Sequence, residues 1–184
     1  MIYWYIGIGL LIIIVLYVLI TYNSLVKLRN QVKESFATMD TYLKKRWDLI
    51  PNIVEIVKGY ANYENETLKE IISLRNNNYD NMNMNSKIDS NEQITQSLSK
   101  LFVLAEAYPA LKASDQFLNL SKELSQIEDE IANSRKYFTA VVRILNNKVE
   151  SVPSNIIAKI FGIKTMKMFE ANANERESIK VELW

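Results

Sequence analysis

The sequence predicts an all-α protein in which an N-terminal transmembrane helix is continuous with an elongated antiparallel four-helix bundle. Three observations predict this fold class. An uncharged apolar segment runs from Ile2 to Ile20. Beyond it, apolar residues recur at spacings of three and four, which is the period of one helix face. Only 4 Gly and 3 Pro occur in 184 residues, so turns should be few and helices long.

The apolar segment has the length of a membrane span. At a rise of about 1.5 Å per residue it extends about 28 Å, close to the roughly 30 Å hydrocarbon core of a bilayer. Aromatic residues flank it as they do at membrane interfaces, and the predicted anchor residues are Ile2, Tyr3, Trp4, Tyr5, Ile20 and Tyr22. The alternative is a cleaved signal peptide, which needs a basic start, a shorter apolar core and a small-residue cleavage site.

Charged residues near the segment predict its orientation. No Lys or Arg precedes it, whereas Lys27, Arg29 and Lys33 follow it closely. By the positive-inside rule the large domain is cytoplasmic and the N-terminus lies outside. We therefore predict a single-pass protein of the cell membrane.

The first helix should continue past the membrane. An apolar stripe at 3–4 spacing follows the span directly: Leu25, Leu28, Val32, Phe36, Met39 and Leu43. It predicts helix to about Asp48. Because proline disfavours helix at the residue before it and suits the first turn of a new helix, we expect a corner at Asp48–Pro51 and a second helix beyond it, with Gly59 inside.

The rest of the chain predicts two more long helices and one short one. Asn-rich residues 76–86 indicate a loop, and a third helix should run from near Ser90 to Tyr108–Pro109. A short link makes it the antiparallel neighbour of a fourth helix. The near-heptad seam of that fourth helix is Leu120, Leu124, Ile127, Ile131, Ser134, Phe138, Val141, Leu145 and Val149. A short segment follows from Pro153 to Phe161, with Gly162 as its stop.

Composition limits the chemistry. Cys and His are both absent, which excludes disulfides, thiol nucleophiles, Cys/His zinc sites and Ser-His-Asp triads. Lys and Arg number 22 against 21 Asp and Glu, a balance that argues against nucleic-acid binding. We expect no cofactor or metal and no catalytic residues. The enzymatic alternative needs carboxylates to converge, and the candidates are Glu64, Glu123, Glu128, Asp129 and Glu130, with Arg135 beside them.

Several sequence blocks resemble the LemA family of bacterial membrane-anchored proteins. The most specific block is residues 43–52, LKKRWDLIPN, and others are residues 22–30 (YNSLVKLRN), 104–113 (LAEAYPALKA) and 152–158 (VPSNIIA). The resemblance extends from the anchor to about residue 170. It departs from the family pattern at Tyr63, where members often carry His, and at Phe138-Thr139 in place of Tyr-Asn.

The resemblance implies a helical bundle on one membrane helix and no known reaction. Some relatives are associated with the organisation of internal membranes. The resulting division is a transmembrane anchor at 1–21, a LemA-like helical bundle at 22–170 and a C-terminal tail at 171–184.

We therefore expect a non-enzymatic scaffold or adaptor for membrane-associated assemblies. The alternatives are a membrane-shaping oligomer and a carboxylate-dependent enzyme. Expected partners are the lipid bilayer and an unidentified protein, and homo-oligomer formation stays open. The candidate partner-binding residues are Arg46, Asp48, Pro51, Asn52, Glu106 and Tyr108. The alternative for Arg46 and Asp48 is structural: they would tie the expected corner together.

Overall fold

The computed structural model describes residues 1–60, 69, 71–73 and 79–169 of the chain. The helices with both ends in these ranges are α1 (Ile2–Lys58), α2 (Met84–Glu106), α3 (Pro109–Lys112), α4 (Asp115–Glu150) and α5 (Ser154–Ile160), and a 3-10 turn covers Tyr79–Asn81. No strand occurs among the described residues. The predicted all-α class, with a long apolar N-terminal helix continuing into a helical domain, is confirmed.

Helix α1 joins the apolar segment to the domain without a break, because it runs for 57 residues from Ile2 to Lys58. In the most apolar 18-residue stretch of α1, near the N-terminus, only 6% of the residues are buried, so the apolar side chains there face outward. From Thr21 onward one stripe turns inward and packs into the core. The same helix is therefore both the membrane-span candidate and a core element.

The expected corner at Asp48–Pro51 is wrong, because α1 continues through Pro51 to Lys58. A proline within a helix removes one backbone hydrogen bond and crowds the preceding turn. Here the apolar stripe continues beyond it, and Ile53, Val54 and Val57 are all buried. Their burial offsets the local cost, so no second helix begins at Pro51.

Gly59 also lies differently from the prediction. It is the C-terminal cap of α1, not an interior residue of a second helix. The remainder of the predicted second helix falls largely outside the described residues. Residues 69 and 71–73 are helical, and Ile71 is buried in the core.

The described part of the predicted Asn-rich loop, residues 79–86, contains helical turns. Tyr79 begins a 3-10 turn, and α2 starts at Met84 instead of near Ser90. Asn83 caps α2, since its side-chain oxygen accepts from the backbone N–H of Ser86 at 3.0 Å. The predicted start was wrong because asparagine is a helix N-cap as well as a loop former, and Asn83 acts as the cap here.

Helices α2 and α4 are joined by the one-turn helix α3. Pro109 occupies its first turn, where a missing N–H costs little. Ser114 then caps α4 by accepting from the N–H of Phe117 at 3.4 Å. The predicted seam of α4 is buried from Leu120 to Leu145, and Val149 is half-buried against the core.

Side-chain pairs give the directions of the long helices. Phe36 of α1 meets Phe138 of α4 with ring centroids 5.8 Å apart. Arg46, ten residues after Phe36 in α1, pairs with Glu128, which is ten residues before Phe138 in α4. Helices α1 and α4 are therefore antiparallel. Helix α2 is also antiparallel to α4, since Phe102 meets Phe117 at 6.0 Å while Thr95 lies level with Glu128.

After α4 the chain folds back along the bundle. Helix α5 ends at Ile160, and Gly162 follows two residues later. Its φ of +66° is the left-handed conformation that glycine favours, so Gly162 stops the helix as the sequence predicted. The irregular segment at residues 163–169 then runs beside α4. The backbone N–H of Met166 donates to Asn146 Oδ1, and Asn146 Nδ2 donates to the Met166 carbonyl, both at 2.9 Å. The predicted tail at 171–184 lies outside the described residues.

Candidate functional site

Arg46 is the most unusual side chain of the described core, because it is charged and only 1% exposed. It lies on the buried stripe of α1, three residues after Leu43 and four before Ile50. Nη1 donates to Thr95 Oγ1 at 2.8 Å and to Glu128 Oε1 at 2.5 Å, and Nη2 donates to the carbonyl oxygen and to Oδ1 of Asn91. We call these four residues the arginine cluster; it connects α1, α2 and α4.

The arginine cluster is suited to holding helices together, not to binding an anion from solution. Its charge is already paired with the Glu128 carboxylate, and the guanidinium is enclosed. Glu128 is 38% exposed, so the carboxylate side of the pair remains hydrated. Partial hydration reduces the desolvation cost that fully buried ion pairs carry.

A second polar cluster lies on the side of α1 facing the 3-10 turn. Asp40 accepts from the Tyr79 hydroxyl at 2.6 Å and from Lys87 Nζ at 2.7 Å. The Tyr79 ring packs against Trp47 with centroids 5.2 Å apart, and Lys87 Nζ lies 4.5 Å from its centre. We call Asp40, Tyr79 and Lys87 the tyrosine cluster. Burial of the hydroxyl, and secondly its hydrogen bond to Asp40, raises the pKa of Tyr79.

The raised pKa predicts a loss of stability at alkaline pH. Below about pH 10 both the native and unfolded states keep the Tyr79 proton; above it, only the unfolded state releases it, so the free energy of unfolding falls. One such proton contributes a slope of up to about 1.4 kcal/mol per pH unit. In urea titrations of the full chain in detergent, followed by circular dichroism, Tyr79→Phe should flatten this slope.

The matched control for that measurement is Tyr137→Phe. Tyr137 is 60% exposed, so its loss should leave the slope between about pH 9 and pH 11 as in the parent chain. Equal slopes for the parent chain and Tyr79→Phe would contradict the assignment.

The six predicted partner-binding residues do not form one compact site. Arg46 is internal and Pro51 is half-buried within α1, whereas Asn52 is exposed. Asp48 is exposed and pairs with Lys44 at 2.8 Å, and Glu106 lies 3.7 Å from Lys112. Tyr108 is half-buried at the start of α3.

Their positions along the helices separate these residues. Asn52 is six residues, or about 9 Å, beyond Arg46 on α1, whereas Glu106 is eleven residues, or about 16 Å, beyond Thr95 on α2. Asp48 and Asn52 therefore lie on the flank of the bundle. Glu106 and Tyr108 lie nearer its distal end, away from the apolar segment.

A shallow groove of about 290 Å³ lies between α2 and α4 beside the arginine cluster. Its walls are apolar side chains and hydroxyls: Thr95, Leu98, Ser99, Phe102, Ser121, Leu124, Ser125 and Glu128. The single carboxylate at its edge is the one already paired with Arg46. The groove therefore offers an apolar contact surface and no pair of acid–base groups.

The candidate carboxylates in the described residues do not all converge on one site. Glu123, Asp129 and Glu130 border an open surface shared with Tyr42 and Lys45, whereas Glu128 faces Arg46. Arg135 lies over the Phe169 ring at 5.1 Å. Within the described ranges no three Asp or Glu side chains are close enough to hold a metal ion, and Glu64 lies outside those ranges.

The predicted anchor residues are among the most exposed of the chain. Ile2, Tyr3, Trp4, Tyr5 and Ile20 are each at least 68% exposed. Tyr22 differs, because its ring packs against Phe161 with centroids 4.4 Å apart. By length and composition, the N-terminal part of α1 is able to cross a membrane.

The tyrosine cluster and the partners of Arg46 were not predicted. The spacing signal for Arg46 was present, since it extends the buried stripe that runs through Met39 and Leu43. No comparable local signal distinguishes Tyr79 from the polar residues around it.

Comparison with known proteins gives one family and two kinds of relative. The family model described as LemA matches residues 35–183. Protein LemA of Metamycoplasma hominis is 28% identical over 159 residues, which cover 85% of this chain and 72% of that protein. The magnetosome protein MamQ of Magnetospirillum gryphiswaldense is 29% identical over 73 residues, and two MamQ proteins of Paramagnetospirillum magneticum are 28% identical over 74 residues. These matches cover 40% of this chain and 27% of each MamQ protein.

Proposed function

Because the chain belongs to the LemA family, we propose that it is a non-enzymatic, membrane-anchored scaffold or adaptor that holds other proteins at a membrane. The observation that carries this proposal is the continuity of α1 from the apolar segment into the core. A domain built on its own anchor helix moves with that helix as one rigid unit, so its distance from the bilayer and its orientation relative to the anchor are set. This arrangement is suited to positioning partner proteins, since every copy presents the same surfaces at the same distance from the membrane.

The charge distribution supports a cytoplasmic domain. Lys27, Arg29 and Lys33 lie on the first turns of α1 beyond the apolar segment, and no Lys or Arg precedes that segment. Basic residues flanking a span favour the cytoplasmic side. Three relatives are named as magnetosome proteins, and this likeness supports membrane association of the chain.

The proposed partner surface is the part of the domain distant from the membrane. It includes Asp48 and Asn52 on the distal half of the flank and Glu106 nearer the distal end, and all three are exposed. Two exposed apolar side chains lie near the same end, Val103 at 70% and Leu118 at 51% exposure. Apolar side chains that are exposed and surrounded by charged ones are typical of protein contact sites.

Site-specific photo-cross-linking in native membranes tests the proposal. A photoreactive amino acid replaces Asn52 or Glu106 in the full chain, and Asn30, which is exposed close to the apolar segment, serves as the control position. We expect heavier adducts from the two distal positions and none from Asn30. Adducts consisting only of two copies of this chain would favour the membrane-shaping oligomer, and no adduct at either distal position would contradict the scaffold.

The same assay tests whether the rigid junction matters. Two glycines inserted between Asn23 and Ser24 make the helix more flexible, since each destabilises it by about 1 kcal/mol relative to alanine. The two added residues also rotate the domain by about 200° relative to the anchor. We expect the chain to stay in the membrane after carbonate extraction while the Asn52 adduct is lost. An unchanged adduct would show that the anchor is only a tether.

A further inference from the structure

The base of the domain coincides with the end of the apolar segment. Thr21 is only 4% exposed, and Val18, still within the apolar segment, packs against the core. The Tyr22 ring lies 4.4 Å from that of Phe161, which directly follows α5. No spacer therefore separates the span from the domain, and the end of α5 lies level with the membrane boundary.

The turn between α4 and α5 lies at the same level. Helices α1 and α4 keep one antiparallel register along their length, because the residue numbers of facing pairs sum to 174 both at Phe36–Phe138 and at Arg46–Glu128. At the end of α4 this register places Glu150 level with Ser24, so the turn that follows lies near Tyr22 and the end of the apolar segment. The turn and α5 together form one corner at the base of the domain.

Apolar side chains at this corner are exposed. Exposure is 79% for Val152, 58% for Ile156, 71% for Ile160 and 48% for Phe161. Other residues of α5 fill the core, since Ile157 is 4% and Ala158 is 1% exposed. The short helix therefore uses one face for folding and leaves a second apolar face outside, adjoining a span whose last residue, Ile20, is 68% exposed.

Basic residues border this apolar face. Lys159 is exposed on α5, Lys164 is exposed just after Gly162, and Lys148 is half-buried in the last turn of α4. Apolar side chains next to lysines are typical of segments that lie in the membrane interface, where the apolar groups enter the headgroup boundary and the ammonium groups meet anionic lipid.

We propose that the corner formed by residues 152–164 is a second membrane contact, in which Ile156, Ile160 and Phe161 enter the leaflet next to the α1 span. The occupant of this face is the lipid bilayer, as indicated by its continuity with the span and by its lysines. This inference rests on the membrane anchoring in the proposed function, but not on the scaffold role. It gives the domain two fixed points on the membrane, which restrict tilting about α1.

Lipid-quenching fluorescence tests the contact, and the absence of Cys from the chain makes single labelling simple. An environment-sensitive fluorophore is attached to Ile160→Cys in the full chain, reconstituted in vesicles of phosphatidylcholine and phosphatidylglycerol. Leu16→Cys is the positive control within the span. Val103→Cys is the control for an equally exposed apolar position away from the membrane, since Val103 and Ile160 are 70% and 71% exposed.

We expect the label at Ile160 to be blue-shifted relative to that at Val103 and to lose intensity to a doxyl group near the glycerol end of the acyl chain. Quenching at Leu16 without quenching at Ile160 would overturn the second contact and leave the anchor intact. Absence of quenching at Leu16 would overturn the anchor and the second contact together.

A charge variant tests the lysines separately. In the labelled Ile160→Cys background, replacing Lys159 and Lys164 by Glu should reduce quenching in vesicles that contain phosphatidylglycerol. In vesicles of phosphatidylcholine alone the reduction should be smaller. Equal quenching before and after the replacement in the anionic vesicles would reject the contribution of the two lysines to lipid contact.

Discussion

Arg46→Ala should lower the free energy of unfolding by about 3 kcal/mol or more. The change removes a side chain that is 1% exposed and leaves a cavity among three helices; replacing a large buried side chain by alanine costs about 2–5 kcal/mol. It also deprives Asn91, which is 7% exposed, of its guanidinium donor. Urea unfolding of the full chain in detergent, followed by circular dichroism, measures the loss.

Lys45→Ala is the matched control, because Lys45 is the neighbouring basic residue and its side chain is exposed. Its effect should stay within about 0.5 kcal/mol, as for most surface substitutions. Similar effects of the two variants would show that the arginine cluster does not hold the helices together.

Glu128→Ala should be nearly as costly as Arg46→Ala, although Glu128 is 38% exposed. The reason is that arginine stays charged at any accessible pH, so the variant leaves an unpaired cation enclosed in the bundle. In the double variant Arg46→Met/Glu128→Ala that cation is gone and its volume is partly refilled. The double variant should therefore be more stable than the sum of the two single effects predicts.

The fold was predictable where buried residues recur every three or four positions along a helix. The apolar stripe of α1 and the seam of α4 identify core positions from Leu25 to Leu145, and the structure buries all of them except Leu28, which is half-buried against the core. Direction was predictable too, since the short link before α4 makes it antiparallel to α2. Each inference needs only neighbours three, four or five residues apart.

The start of α2 was misplaced because a local signal, the Asn83 cap, was missed; the other errors arose where contacts distant in sequence outweighed a local signal. Pro51 signals an interruption, but burial of Ile53 and Val57 carries α1 through it. Tyr79 stands among asparagines, yet Trp47 and Asp40 of α1 bury its ring and bind its hydroxyl. Spacing placed Arg46 on the buried stripe, whereas its partners on α2 and α4 become visible only when three helices are assembled.

Phe138→Ala should produce a second large loss, of about 3–5 kcal/mol, as for other buried aromatic residues replaced by alanine. Phe138 is 0% exposed. Its ring centroid lies 5.8 Å from that of Phe36 on α1 and 6.0 Å from that of Phe169 in the C-terminal segment, both in edge-to-face orientation. The variant therefore removes contacts among three parts of the chain and leaves a cavity where they meet.

Tyr137→Ala provides the matched control, since it removes an aromatic ring one residue away on the exposed face of α4. Tyr137 is 60% exposed, so we expect a change of no more than about 0.5 kcal/mol in the same urea titration. Phe169→Ala should fall between the two, because Phe169 is half-buried and Arg135 covers its ring at 5.1 Å. If Phe169→Ala had no effect while Phe138→Ala kept its full cost, the contact between the two rings would contribute nothing to stability. The loss in Phe138→Ala would then come from its contacts within the helices.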